Sequence, residues 1–348
     1  MSDSTGSCEY VLDPDDPETW GGDEGAECYV EKKHLNEDGV WTCPHETEEG
    51  EDLCIFHRPV AEKDDAEVSA AFVDVLDDGT ERDNSSSEYR RFPFLGARFG
   101  EFDLSEDPPE IVAEDAEIIL SHATIEGELN WYGAVFDVST IVLSGIECLE
   151  DATFSSADFG GSAVFGAAEF EKEISFISTE FGESAHFDET KFGGRTTFDS
   201  AAFEHVSFRA VEFGSSASFM HVGFGEVVLF ADAEFGDSAY FRSATFEGDA
   251  EFANADFEES ADLRSTEFEE RAGFLGTEFG AGVNFRFAEF GGSTCFLDVG
   301  FGSHPVFSDA TFDEGPDFSS IESLADGKFN GADLTGASFD TVVLHDAD

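Results

Sequence analysis

Basic residues are scarce in this chain of 348 residues. Lysine and arginine together number 17, and only six are lysine, against 79 aspartates and glutamates, so the formal net charge is −62. That charge excludes ordinary nucleic-acid binding through a basic patch. The acid is spread along the chain, with 27 acidic residues in residues 1–90 and 52 in the remainder. Because such a lysine-poor, acidic surface is typical of proteins in high-salt cytoplasms, we expect a halophile.

Long apolar runs are also lacking. No run approaches the roughly 18 residues that a membrane-spanning helix needs. The N-terminal sequence MSDSTGSCEYVLDPDD has neither the basic start nor the apolar core of an export signal. We therefore expect a cytoplasmic protein. Cysteine is limited to six residues, four of them within the first 54, which favours reduced thiols and a local metal site over a disulfide framework.

Phenylalanine and glycine are abundant, with 40 and 35 residues. In the stretch AEFGDSAYFRSATFEGDAEFANADF, residues 233–257, a phenylalanine returns after alternating steps of six and five residues. Steps of five give no common apolar face on an α-helix. On a straight strand an odd step sends the next side chain to the opposite face. The spacing therefore predicts short extended pieces separated by turns, each directing one phenylalanine toward a common axis.

The same rhythm runs without a gap through thirty-six centre positions from Phe154 to Leu344, and all but four of these positions are phenylalanine. The exceptions are Leu263, Leu324, Leu334 and Leu344. Two residues before each centre there is usually Ala, Thr or Val, which predicts a second inward position at a tight corner with little room. An internal repeat of this kind is the sequence signature of a solenoid.

The segments AEF, ADF, ATF and GADLTGASF resemble the pentapeptide-repeat family over residues 92–348. The resemblance implies an all-β solenoid, a right-handed quadrilateral β-helix with four repeats per coil. Because most of this chain alternates steps of five and six, we expect each coil to hold two steps of each length. Glycine often follows the phenylalanine in the six-residue steps, which predicts a corner that needs positive φ. The chain is similar to a haloarchaeal type of this family, with phenylalanine-centred repeats after an N-terminal Cys/His segment.

Three domains follow from these patterns: a Cys/His-rich segment over residues 1–60, a helix and polar linker over 61–91, and the β-helix over 92–348. Apolar residues at helical spacing in EKDDAEVSAAFVDVLD, residues 62–77, predict a short helix that Gly79 ends and that caps the first coil. Residues 80–91 form the linker. Upstream of Phe154 the rhythm continues at four positions, with an irregular patch over residues 142–149, so two or three further coils are expected. Those positions are Leu120, Ile125, Trp131 and Phe136.

The N-terminal 60 residues are too short and too acidic to bury a core, and small segments of that kind usually need a metal or disulfides. Four thiolates suit a tetrahedral structural Zn²⁺, with a histidine able to replace one thiolate. A disulfide or free thiols remain the alternative, because no Cys-x-x-Cys pair is present. The candidate ligands are Cys8, Cys28, Cys43 and Cys54, with His45 and His57 as alternates.

No nucleophile elbow, Walker loop or dinucleotide fingerprint occurs, so the sequence indicates a protein that is not an enzyme. A solenoid with flat acidic faces predicts a binding or scaffold protein whose protein partner has a basic surface. Acidic ladders are expected from the glutamates that precede many centres, namely Glu169, Glu180, Glu234, Glu267, Glu278 and Glu289. Direct nucleic-acid binding and membrane binding are not expected, and the C-terminal coil predicts a possible homodimer.

The resemblance also implies an alternative function. Some pentapeptide-repeat proteins mimic DNA and occupy the DNA-binding surface of a topoisomerase such as gyrase. This chain has the predicted repeat and the negative charge. A mimic should concentrate acid along one strip, whereas salt adaptation should spread it over all faces. The 27 acids among residues 1–90 favour salt adaptation.

Overall fold

The computed structural model describes residues 6–22, 25–80, 90–321, 324, 326–340 and 342, and of these it describes 78–80 by their backbone alone. Contacts divide the chain into two compact units, Met1–Lys172 and Glu173–Asp348. Most of the predicted linker and the VVLHDAD end with Leu344 lie outside the described residues. The predicted domain boundaries after residues 60 and 91 stay a prediction.

The first unit begins with two small antiparallel pairs. Strand β1 (Gly6–Ser7) pairs with β4 (Glu46–Thr47), and β2 (Val11–Leu12) pairs with β3 (Trp41–Thr42). Short 3₁₀ turns lie at Pro17–Thr19, Lys32–His34 and Val60–Glu62. These strands are too short to be stable alone, so this segment depends on other contacts.

Helix α1 spans Asp65–Thr80. Its start follows from Asp64, whose carboxylate accepts the Glu67 backbone N–H at 3.1 Å, as an N-cap residue should. Val68, Phe72 and Leu76 are buried, and the Phe72 ring centroid lies 4.7 Å from that of Phe94 in the first coil. The predicted helical cap is confirmed. The predicted stop at Gly79 is wrong, because the helix continues through it to Thr80.

The rest of the first unit is a parallel β-solenoid, and Trp131 and Phe136 are buried at the predicted centre positions. Leu143 and Cys148 occupy the missing centres of the irregular patch, and the irregularity itself is a register shift between Val138 and Thr140, just before the patch. Between Phe94 and Cys148 the centres make about two and a half coils, as expected. The strands are Arg90–Pro93, Arg98–Phe99, Phe102–Asp103, Glu110–Ile119, Thr124–Ile125, Leu129–Asn130, Val135–Val142, Glu147–Cys148, Ala152–Thr153, Asp158–Phe159, Ser162–Val164 and Glu169–Phe170.

The second unit is also a parallel β-solenoid, with four strand rows that we name faces 1 to 4 in chain order. Face 1 holds Ile174–Ser175, Thr196–Thr197, Ala217–Ser218, Ser238–Tyr240, Ser260–Asp262 and Gly282–Asn284; face 2 holds Glu180–Phe181, Thr245–Phe246, Glu267–Phe268, Glu289–Phe290 and Thr311–Phe312. Face 3 holds Ser184–His186, Asp249–Glu251, Ala272–Gly273 and Thr294–Cys295, while Ala202–Ser207 and Gly223–Leu229 run through faces 2 and 3. Face 4 holds Lys191–Phe192, Glu212–Phe213, Glu234–Phe235, Asp256–Phe257 and Glu278–Phe279. Four rows confirm the predicted quadrilateral all-β solenoid.

Strand register confirms the predicted coil length. Phe224 pairs with Phe246 and Phe246 with Phe268, so each coil advances the chain by two steps of five and two of six. Every centre from Phe176 to Phe318 is buried, and so is the residue two places before each of them. Rings of one row stack between coils, as Phe235 does on Phe257 with centroids 4.4 Å apart, which is an arrangement that aromatic pairs favour when offset.

The predicted role of the glycines is wrong at most of the positions that can be compared. Gly225, Gly236 and Gly291 do not have positive φ; a Cβ on Gly225 would instead lie 2.7 Å from the Glu204 carbonyl oxygen in the previous coil. These glycines are therefore required by close coil-to-coil approach. Positive φ occurs two residues after the centres of faces 1 and 3, at non-glycine residues such as Ser243 (57°).

Candidate metal centre and acidic ladders

Four buried side chains meet in the first unit. The ligand atoms of Cys8, Cys43, Cys54 and His57 all lie within 4.8 Å of one another. The Cys43 and Cys54 sulfurs are 3.7 Å apart, and His57 Nδ1 lies 3.2 Å from the Cys54 sulfur and 3.7 Å from that of Cys8. Thiolates bound tetrahedrally at about 2.3 Å from one Zn²⁺ would be about 3.8 Å apart. The donor set and its spacing therefore fit a bound metal ion.

Short-range structure places each of these side chains. The pairing of β2 with β3 is extended by the Cys43 N–H, which donates to the Tyr10 carbonyl, and the Cys8 N–H donates to the His45 carbonyl. The His57 N–H donates to the Cys54 carbonyl at 3.0 Å and closes a turn. The Cys54 and His57 side chains at the two ends of this turn both belong to the cluster. The cysteines are free thiols in this arrangement, since a disulfide would need sulfurs about 2.05 Å apart.

Hydrogen bonding fixes the orientation of the His57 ring. Nε2 lies 2.9 Å from the Leu95 carbonyl oxygen, which only accepts, so Nε2 carries the proton and donates it. In the neutral imidazole the lone pair is then on Nδ1, which faces the sulfurs, as a second-shell carbonyl arranges for a metal-ligating histidine. Tyr10 stacks on the ring at 3.9 Å. Burial alone would lower the pKa of His57, but hydrogen bonds to Cys54 and Cys8 outweigh it and raise the pKa to about 9.

The thiol pKa values shift in opposite directions within the cluster. A hydrogen bond from Cys43 lowers the pKa of Cys54, and the same bond raises that of Cys43, with burial adding to the increase. One thiolate is therefore favoured at this position even before a metal binds, and thiolate is the form that ligates metals.

The other two candidate ligands lie elsewhere. Among the described residues that could ligate a metal, Cys28 is outside the group of four; it is half-buried, and burial raises the pKa of its thiol. His45 contacts the first coil instead: its Nε2 lies 2.9 Å from the Pro93 carbonyl oxygen and its ring stacks on Phe94. The Cys54-Ile-Phe-His57 spacing is the one local signal that favours His57 over His45.

Two buried contacts between the N-terminal segment and the coils have no sequence signal. Glu117 is 2% exposed, and its carboxylate lies 3.0 Å from Lys33 Nζ, 3.4 Å from His34 Nε2 and 3.4 Å from Arg91 Nε. Burial would raise its pKa, but the bonds to His34 and Lys33 hold the pKa at about 2. The second contact is His122, whose Nε2 accepts the Tyr29 N–H at 2.9 Å. Burial lowers the pKa of His122 to about 4.

In the second unit, acidic residues line up between coils on two faces. On face 4, Glu212 pairs with Glu234, Glu234 with Asp256, and Asp256 with Glu278, all exposed, and we name these four residues the acidic ladder. On face 2, Glu267 pairs with Glu289. The predicted alignment with another acidic residue holds for five of the six named glutamates, including Glu169, which pairs with Glu147 in the first unit; Glu180 instead pairs with Ala202.

Like charges directly opposite each other on neighbouring strands destabilise a sheet. The acidic ladder therefore lowers the stability of the fold, and the solenoid alone does not explain why acidic residues occupy these positions.

The described part of the chain has no helix with the length and apolarity needed to cross a bilayer. Among curated proteins no match is found. Among solved structures, the chain is similar to HetL, a pentapeptide repeat protein involved in heterocyst differentiation regulation from the cyanobacterium Nostoc sp. strain PCC 7120. The identity is 13% over 74% of this chain and 91% of that chain, with a TM-score of 0.19.

A family model described as pentapeptide repeats (9 copies) matches residues 230–277. Those residues contain Phe230, Phe235, Phe241 and Phe246, and their strands have the same register as the coils on either side of them within the second unit. Residues 230–277 are therefore a run of pentapeptide repeats.

Proposed function

We propose that this protein is a non-enzymatic scaffold of the cytoplasm that binds a protein partner through its acidic ladder. The observation that supports this most directly is the in-register exposure of Glu212, Glu234, Asp256 and Glu278 on consecutive coils. Parallel strands lie about 4.8 Å apart, so the four carboxylates form a regular line of negative charge on a rigid surface. A partner with a basic surface is favoured by charge complementarity.

The test is affinity capture with two baits that have the same net charge. One bait neutralises the ladder (Glu212→Gln, Glu234→Gln, Asp256→Asn and Glu278→Gln). The control bait neutralises four exposed glutamates of the N-terminal segment: Glu9, Glu18, Glu49 and Glu51. A partner with a basic surface should bind wild type and the control bait but not the ladder variant. Equal recovery with wild type, the ladder variant and the control bait would contradict the proposal.

We further propose that the cluster of Cys8, Cys43, Cys54 and His57 holds Zn²⁺ in a structural role. Three thiolates and one imidazole are a ligand set that Zn²⁺ prefers, and four protein ligands leave no open position for a reacting water. When bound, the ion would join β1–β4 to the turn at residues 54–57. The His57 bond to the Leu95 carbonyl would then connect the same ion to the first coil.

DNA mimicry is a second candidate function. The observation in its favour is that acidic residues are aligned in register between coils rather than scattered. This alignment occurs on face 4 and, for Glu267 and Glu289, on face 2. Gyrase supercoiling in molar potassium chloride tests it, with the whole chain as inhibitor. Stoichiometric inhibition by wild type that the ladder variant loses would establish mimicry. No inhibition, or equal inhibition by an unrelated protein of similar charge, would exclude it.

A further inference from the structure

A stripe of arginines crosses three consecutive coils of the second unit. Arg242, Arg264 and Arg286 each follow a face 1 centre by one residue. The Ser243 N–H donates to the Arg264 carbonyl at 3.1 Å, and the Ser265 N–H donates to the Arg286 carbonyl at 3.0 Å, which fixes the register. We name these three residues the arginine stripe. In the coil before, Met220 occupies the same position, since the His221 N–H donates to the Arg242 carbonyl.

Folding explains only part of the arginine stripe. Like charges opposite one another on adjacent coils destabilise a parallel ladder, and here three of the chain's 17 basic residues share one line. Asp262 pairs with Arg264 at 2.6 Å, and Asp309 lies 3.5 Å from Arg286. Within the described part of the chain, Arg242 has no ion-pair partner although it is exposed. One guanidinium is therefore open to an external acceptor.

Phe287, next to the stripe, is also unexplained by folding. Its side chain is 48% exposed and its backbone has φ of 60°, which is an outlier for a bulky residue. The guanidinium carbon of Arg286 lies 4.5 Å from its ring centroid. Equivalent positions on other coils carry small or polar residues: Ser178, Ser200, His221, Ser243, Ser265 and Asp309. An exposed aromatic ring in a strained conformation is a feature of binding surfaces.

Beside the stripe, face 1 carries an open groove of about 490 Å³ lined by Tyr240, Asp262, Arg264, Asn284 and His304 among others. Tyr240, Asp262 and Asn284 are the outward residues of three consecutive strands, aligned by the pairing of Ser238–Tyr240, Ser260–Asp262 and Gly282–Asn284. This surface therefore combines arginine, tyrosine and phenylalanine, with a single methionine nearby. Those residue types are enriched at protein interfaces.

We infer that face 1, through the arginine stripe, Phe287 and Tyr240, is a docking surface for an acidic segment of a protein partner. Guanidinium groups bind carboxylates in a bidentate geometry, and Arg242 is unpaired within the described structure. Phe287 and Tyr240 would receive an apolar side chain of the same segment. Because a net charge of −62 opposes the binding of any polyanion, a short acidic segment with few charges is favoured over a nucleic acid. This surface is separate from the acidic ladder on face 4, so one scaffold would hold two partners of opposite charge.

Fluorescence anisotropy of the whole chain with a labelled peptide of alternating Glu and Phe tests the inference. Arg242→Gln with Arg264→Gln removes two charges from the stripe, and Arg209→Gln with Arg271→Gln removes two exposed charges from face 3. We expect the stripe variant to weaken binding about tenfold or more, and Phe287→Ser to weaken it several-fold. The face 3 variant should stay within about twofold of wild type. A peptide with Lys in place of Glu should be unaffected by the stripe substitutions.

Equal binding of the Glu peptide to wild type and the stripe variant, or no binding to either, would overturn the inference. Two further outcomes would overturn it in favour of another occupant. A stripe-dependent affinity for oligodeoxythymidylate above that for the Glu peptide would indicate a phosphate ligand. Self-association of wild type that the stripe variant loses, measured by sedimentation velocity, would indicate a second copy of this chain. Because the stripe variants keep the acidic ladder, capture of a basic partner remains an independent measurement.

Discussion

Glu117→Gln should destabilise the first unit by removing the one charge that Lys33, His34 and Arg91 share. The carboxylate is 2% exposed and its folded-state pKa is about 2, against an ordinary value of 4.5. That difference in pKa corresponds to about 3 kcal/mol of stability, and loss of one partner from a buried ion pair typically costs about 3 to 5 kcal/mol. We expect a loss of about 3 kcal/mol at pH 7.

The pH dependence gives the sharper measurement. Because the folded pKa is depressed, the carboxylate stabilises the fold fully above about pH 4.5, and this contribution is lost as pH falls toward 2. Urea unfolding of wild type and Glu117→Gln should therefore differ at pH 7 and converge near pH 2. The difference between the proteins must be compared, since acid also relieves the repulsion among the other carboxylates. It should persist in molar salt, because a buried pair is weakly screened.

Glu114→Gln is the matched control, since Glu114 is exposed on the same strand, Glu110–Ile119. It should change stability by less than about 0.5 kcal/mol. The reasoning is refuted if the two substitutions have equal effects, or if the difference between wild type and Glu117→Gln is the same at pH 7 and pH 3.

Burial lowers the pKa of His122 to about 4, so its contribution to the stability of the fold is full above about pH 6.5 and is lost as pH falls to about 4. This pH-dependent part of the stability is about 3 kcal/mol. His122→Asn should remove it from unfolding curves measured across this pH range. Purified protein should contain one zinc per chain by mass spectrometry. Cys54→Ser should abolish zinc binding, whereas Cys28→Ser should not. Retention of zinc by the Cys54 variant would exclude the proposed ligand set. Gly225→Ala places a Cβ 2.7 Å from a backbone oxygen and should lower the melting temperature, whereas Gly214→Ala, at 3.4 Å, should be tolerated; equal melting temperatures would contradict the close-approach explanation.

The solenoid could be predicted because its information is local and repeated. Each phenylalanine occupies the same position in its coil, so a period read from the sequence gives the register of Phe224 on Phe246 directly. Corner conformations could not be predicted in this way. Positive φ falls on residues such as Ser243 and Asp232, and these residue types are common on any surface. The glycines after the phenylalanines are required instead by the close approach of the neighbouring coil.

The metal centre was predicted in part, since cysteine and histidine density indicated a site but not its members. Cys8 and His57 are 49 residues apart and meet only because two strand pairs and a turn bring them together. Glu117 was missed altogether, because in an acidic sequence one more glutamate has no distinguishing mark and its partners Lys33 and His34 are remote. Salt adaptation and the identity of any partner stay predictions.

Residue-by-residue pairing between coils also restricts how such a chain can change in length. Thr197 pairs with Ser218 and Ala239 pairs with Ala261, so the first of these two coils is shorter than the second by a single residue. The shorter coil coincides with the continuous strand Ala202–Ser207, where a register shift between Phe203 and His205 absorbs the missing residue. A second register shift, between Val138 and Thr140 in the first unit, absorbs extra residues in the same way. Away from such shifts, duplication or loss of whole coils is the change in length that preserves every stacked contact.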